Sequence, residues 1–120
     1  MLSAYRVLDL TTNTSAICGA ILADLGADVI AVEPPGGSPL RDMGPFRHDE
    51  PDREHSLAWW AYARNKRSIE LDLASPGGRA TFLELAAGAD AVIESFPPGR
   101  LAALGAGYEQ LAAANPGIVV

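Results

Sequence analysis

Few side chains in this sequence stand where catalysis or ligand binding would need them. The one cysteine, Cys18, falls among Ile17, Ala20 and Ile21 inside a segment of helical spacing. That setting favours a small buried hydrophobe over a reactive thiol, and a single cysteine excludes an internal disulfide or a cysteine-rich metal site. His48 and His55 have no third ligand at metal spacing and no serine–aspartate frame around them. They read as solvated histidines, not as metal ligands or general bases. Nucleotide fingerprints are absent too: no G-x-G-x-x-G follows the first apolar run, and G-x-x-x-x-G-K-[ST] occurs nowhere. Gly105-Ala106-Gly107 follows a helical segment, so its glycines are helix-end turns. What remains is a hydroxyl-rich turn, Thr11 to Ser15, directly after the apolar run RVLDL.

That turn gains meaning from the elements around it. Val7, Leu8 and Leu10 predict one buried strand, and Val29, Ile30 and Val32 another. The segment between them is too long for a hairpin and long enough for a crossover helix, so the strands should be parallel. Thr14 or Ser15 should cap that helix, which runs to Leu25 and stops at Gly26. Ile17, Ala20, Ile21 and Leu25 recur at helical spacing and should face the sheet, with Asp24 in water. Thr11 to Ser15 then lies at the carboxyl end of the first strand, where open α/β sheets bind ligands.

Between Pro34 and His55 there are five prolines, three glycines and many charges, with no periodicity. A loop of that length is functional, disordered or spread over a partner. Ser56 to Ala63 predicts a short helix whose Trp59, Trp60 and Tyr62 pack against the sheet or another chain. Arg64, Lys66 and Arg67 suit either a helix C-terminus or a phosphate contact. RSIELDL, 67–73, alternates cleanly and predicts a half-buried strand near an edge. Ser75 caps a helix with Pro76 in its first turn; Phe82, Leu83, Leu85 and Ala86 form its apolar face and Gly88 ends it. Ala91 to Ser95 predicts a fourth strand, followed by the rigid turn Phe96-Pro97-Pro98-Gly99. Two short helices, Arg100 to Leu104 and Tyr108 to Ala114, precede a fifth apolar strand beginning at Gly117.

With 120 residues there is room for one core. A hydrophobic content of 48% with no run of transmembrane length fits a cytoplasmic protein without a signal peptide. The net charge of −6 argues against a nucleic-acid or anionic-membrane surface. A phosphate-bearing ligand would need local cations or helix N-termini. The fold expectation is α/β: a Rossmann-like parallel sheet of about five strands with flanking helices. Its last strand lacks a covering helix, so residues 1–120 should be the front part of something longer or a module completed by another chain. An exposed edge of that kind favours self-association or a partner.

Five segments in register carry a resemblance: RVLDLT at 6–11, LADLGADVIAVEPPGG at 22–37, NKRSIELDLASPGGR at 65–79, ADAVIESFPPGRLAALGAGYEQL at 89–111 and NPGIVV at 115–120. Together they resemble the N-terminal part of the class III CoA-transferases, a family that includes formyl-CoA and carnitine CoA-transferases and the α-methylacyl-CoA racemases. The proline-rich loop at 34–55 is the least alike. The resemblance implies a Rossmann-like domain, incomplete here relative to the family, in a longer chain that forms interlocked dimers. It implies coenzyme A and acyl-CoA as substrate, with no prosthetic group. In the transferases an aspartate attacks the acyl-CoA, a mixed anhydride forms, and the released thiolate makes an enzyme thioester that the acceptor acid resolves. That aspartate lies beyond the position matching Val120, so Asp9, Asp24, Asp28, Asp72 and Asp90 are not assigned as nucleophile, and Asp9 reads as a structural carboxylate.

By the same resemblance, Thr14 and Ser15 fall in the turn that meets CoA. Leu71, Asp72, Leu73 and Ala74 match the stretch passing the adenosine, and Ser95 and Phe96 end the fourth strand. Typical transferases carry a basic residue at Pro34, a lysine at Ala74, an asparagine at Ser95 and an arginine at Ala103. Arg100, one helical turn before Ala103, is placed to compensate. The function expected is that of a CoA-binding N-terminal segment of a transferase acting on acyl-CoA thioesters. The alternatives are a non-catalytic module of a tandem or two-chain protein, or a racemase segment.

Overall fold

A computed structural model describes residues 1–120 apart from the side chain of Thr14. Four strands, Arg6–Leu10 (β1), Asp28–Glu33 (β2), Arg67–Glu70 (β3) and Ala91–Glu94 (β4), form a wholly parallel sheet in the order β3-β2-β1-β4. The central pair β1 and β2 is buried along almost its whole length, as continuous apolar runs in a parallel sheet require. The alternating strand β3 lies at the edge, as expected.

The two faces differ. Leu8, Leu10, Ile30, Val32 and Val92 join Phe82 and Ala86 of the helix Pro76–Ala87 and Leu111 of the helix Tyr108–Ala114 in the larger core. On the other face, Val7 and Val29 meet Ala23 and Ala27 in a thin layer. In chain order the helices are Ile17–Asp24 (α1), Leu57–Ala63 (α2), Pro76–Ala87 (α3), Arg100–Ala103 (α4) and Tyr108–Ala114 (α5). Capping follows the sequence closely at two of them. Ser75 accepts from the Gly78 N–H at 3.0 Å at the start of α3, and Ser56 accepts from the Trp59 N–H at 3.1 Å at the start of α2.

Three expectations are corrected. There are four strands, not five. Val119 alone pairs with β4, taking the Val92 N–H at 2.8 Å and donating to Asp90 O at 3.0 Å; one residue cannot extend a ladder. β3 also ends at Glu70, and Leu71 continues past it with its N–H on Glu33 O. The third correction concerns α1, which is entered through a 3-10 turn, Asn13–Ala16, with Ala16 at the N-cap and no side-chain cap. Its sheet-facing residues are Ala16, Gly19, Ala20 and Ala23, while Ile17 and Ile21 are about half exposed (48% and 50%), and Leu25 and Cys18 are exposed as well.

Asp9 is the reason. Its carboxylate rises from β1 towards α1, and a Cβ on Gly19 would lie 1.9 Å from its Oδ2. Only glycine can stand there, so the helix turns its smallest residues to the sheet and its larger ones outward. Gly19→Ala is therefore expected to lower stability by about 1–3 kcal/mol, the usual range for overpacking. A urea midpoint equal to that of the wild type would contradict this packing.

Candidate functional site

A cavity of about 240 Å³ straddles the carboxyl edge of the sheet. Thr11 and Thr12 after β1, Pro34 and Pro35 after β2, and Leu71 to Ala74 after β3 contribute to its wall. Phe96 and Arg100 close it beyond β4, and Trp59 and Tyr62 of α2 stand opposite. Because β2 and β4 flank β1 on opposite sides, the chain changes direction at β1. The turns leaving β1 and β4 are joined there: the Thr12 N–H donates to Ser95 Oγ at 3.0 Å. Such switch points are where parallel α/β sheets bind ligands.

Two buried carboxylates underlie the cavity. Asp9 Oδ2 receives Lys66 Nζ at 2.7 Å, and the side chains are only 2% and 4% exposed. Asp9 Oδ1 takes the Thr11 N–H at 2.9 Å and hydroxyl at 2.5 Å, and Lys66 also donates to Ala16 O at 2.9 Å. Glu33 receives Arg41 twice, Nε to Oε2 at 2.8 Å and Nη2 to Oε1 at 2.9 Å. The Ser38 N–H reaches Oε2 at 2.7 Å, and the Ser68 hydroxyl donates to Oε1. Burial pushes the Glu33 carboxyl up, but the hydrogen bonds from Arg41, Ser68 and Ser38 and the Arg41 charge outweigh it. The net effect brings the group from the usual 4.5 down to about 2.

The long proline-rich segment is ordered and builds the wall. Residues Pro39–Asp42 form a 3-10 turn capped by Ser38, and Phe46 pairs with Ser56. Ser56 is fully buried and donates its hydroxyl to the carbonyls of Leu40 and Met43. Arg64, Lys66 and Arg67 all serve structure, paired with Asp24, Asp9 and Asp28. Hydrogen bonds from Arg64 and Asn65 lower the Asp24 pKa, and those from Arg6 and Arg67 lower that of Asp28. Trp60 stays exposed, its indole N–H on Glu54 O.

Of the residues singled out in the sequence, Leu71, Asp72, Leu73, Ala74, Phe96 and Arg100 meet at the cavity. Ser95 stands behind it, bound to Thr12. Ser15 is exposed on the 3-10 turn and does not line it, and the Thr14 side chain lies outside the described residues. Thr11 and Thr12 of the hydroxyl-rich turn after β1 also line it. Sequence reasoning missed Leu40 as a wall residue, assigned Trp59 and Tyr62 to packing, and left Lys66 between a structural role and a phosphate contact. Among the described residues no group of three metal-ligating side chains occurs, and no helix is long and apolar enough to cross a membrane.

The family model of CoA-transferase family III matches residues 2–120. This chain belongs to CoA-transferase family III. It is 44% identical to the succinyl-CoA–D-citramalate CoA-transferase of Chloroflexus aurantiacus over 99% of its own length and 29% of the relative's. It is 41% identical to the succinyl-CoA:(R)-benzylsuccinate CoA-transferase subunit BbsE of Thauera aromatica, over 98% and 28%. Among solved structures, the protein Rv3272 of Mycobacterium tuberculosis superposes with a TM-score of 0.86 at 36% identity, covering 98% of this chain and 31% of that one. The chain thus spans under a third of the length of the relatives it matches.

Glu33 makes acid sensitivity a test of the site. Its folded pKa lies below its unfolded one, so its stabilisation is complete above about pH 4.5 and is lost as pH falls towards 2. Glu33→Gln is expected to be less stable than wild type at pH 7, with the gap closing across that window. Chemical denaturation at several pH values checks this; a gap that stays constant with pH would contradict the assignment.

Proposed function

We propose that residues 1–120 form the coenzyme A-binding N-terminal part of an enzyme that moves CoA between carboxylic acids. Succinyl-CoA is the proposed donor and a dicarboxylic acid the acceptor. The observation that carries this reading is one cavity, at the switch point of the sheet, lined by the strand ends of a chain that its family matches almost end to end. The names of the two relatives above, with succinyl-CoA as donor and D-citramalate or (R)-benzylsuccinate as acceptor, support the choice of substrates.

In this reading Leu71 to Ala74 and Phe96 border the carrier, Ser95 fixes the Thr12 backbone beside it, and Arg100 meets a phosphate. Among the described residues Arg100 is the lining cation without a carboxylate partner, since Lys66 is held by Asp9. The attacking carboxylate is assigned to the part of the family's length that these residues do not cover. Asp9, Asp24, Asp28 and Asp90 each already accept hydrogen bonds from Lys66, Arg64, Arg67 and the Arg6 N–H. Asp72 takes the Ala74 N–H at 3.0 Å and shapes the turn. The exposed Ile17, Ile21 and Leu25 support burial of α1 against further protein in the whole enzyme.

Calorimetric titration of CoA into the full-length protein tests the reading. Wild type is expected to bind, and Arg100→Ala to bind about tenfold more weakly, as loss of one charge-assisted contact implies. Equal affinity would remove Arg100 from the site, and absence of binding to wild type would overturn the assignment.

A further inference from the structure

Three walls of the cavity converge on a side chain that is not part of its lining. Arg41 is bound bidentately to Glu33 at the end of β2. It belongs to the 3-10 turn whose Ser38, Pro39 and Leu40 line the cavity. Its guanidinium also lies 3.9 Å from the centroid of the Trp59 ring, and Trp59 lines the cavity from α2. Glu33, Leu40 and Trp59 are contributed by three different elements; the Arg41 guanidinium joins Glu33 to Trp59, and Leu40 precedes it in the same 3-10 turn.

We propose that Arg41 is a positioning residue for this site: it clamps the Trp59 indole against the β2 end so that the ring forms a fixed wall for the apolar or flat part of the ligand. Three observations support a clamp over a general surface ion pair. The guanidinium is mostly buried, its carboxylate partner is almost wholly so, and the pair is bidentate. A lysine in its place keeps the charge but loses the second hydrogen bond and the flat stacking surface. The α2 helix has no fully buried residue of its own, so Trp59 depends on contacts such as this for its orientation. The identity of the ligand rests on the proposed function; the clamp itself does not.

The test is a double-mutant cycle of Arg41→Lys and Trp59→Leu in the full-length protein. Two probes are titrated, CoA and the apolar anionic dye 1-anilinonaphthalene-8-sulfonate, into variants whose near-ultraviolet circular dichroism matches wild type outside the tryptophan band. If Arg41→Lys does not fold, Glu33→Gln/Arg41→Gln replaces it, because that pair leaves no buried charge unpaired. Each single change is expected to weaken dye binding roughly five- to tenfold, the scale of a desolvated cation–π contact. The double variant should bind no more weakly than Trp59→Leu alone, because Arg41 acts through that ring. A purely structural role would give losses that multiply, and that result overturns the clamp, as does unchanged binding by Arg41→Lys or failure of the dye to bind wild type. Failure of CoA alone to bind wild type overturns the proposed ligand and leaves the dye cycle to decide the clamp.

Discussion

Two carboxylates buried on the same face of the sheet constrain everything around them. Asp9 and Glu33 stand near the carboxyl ends of the two central strands, where neither could remain charged without a partner. Both partners come from the single connection that leads from β2 to β3: Arg41 from its beginning and Lys66 from its end. Breaking such a buried pair by removing one partner costs about 3–5 kcal/mol, because a charge is left without compensation. The connection is therefore pinned at two points, and the 24 residues between the two cations (65 less 41) must arch over the carboxyl edge. That arch is the outer wall of the cavity. An open sheet end becomes an enclosed site because two acids need neutralising.

The same acids set the thickness of the layer above. Lys66 bridges Asp9 and Ala16 O at the entry to α1, so the helix can lie close to this pair only by presenting Gly19 at the crossing. A second close approach occurs on the far side of the site, where a Cβ on Gly78 would fall 2.0 Å from Asp72 O. There the turn after β3 is pressed against the start of α3. Two of the strand-to-helix junctions that border the cavity, those after β1 and β3, are thus held by a glycine beneath a polar group. The exposed stripe on α1 follows directly, since its larger apolar residues have no room on the sheet side.

What the sequence made legible was the local part of this. Apolar runs marked β1, β2 and β4, and Ser56, Ser75 and Gly88 marked helix ends within a residue. Positions 71–74 and 96 were named from their family counterparts and Arg100 from its helical spacing to Ala103, and all of them line the cavity. The orientation of α1 was not legible, because helical spacing finds an apolar stripe but cannot tell that a carboxylate on another element forbids it the sheet. Arg41 and Trp59 were hidden for a related reason. Their partners are distant in sequence, and a proline-rich stretch without periodicity looks alike whether it is disordered or pinned by ion pairs. The fifth strand was overcounted because GIVV has strand composition, while pairing requires neighbours in register.

The charge balance of the cavity bears on how an anionic ligand could enter it. The chain carries a net charge of −6, and screening removes most of that field beyond about 8 Å at physiological ionic strength. Attraction must then be local, yet Lys66 and Arg41 are each bound to an acid and contribute little net charge. Most of the wall is apolar: Pro34, Pro39, Leu40, Leu73, Leu104 and the α2 aromatics. The carrier of the proposed function, with a phosphate-bearing end and an apolar arm, would suit that division, the arm against the wall and the charged end at the exposed Arg100. Under the proposed function the neutralised acids do not attract the ligand; they fix the wall through their ion pairs, and a pre-formed wall lowers the ordering cost of binding.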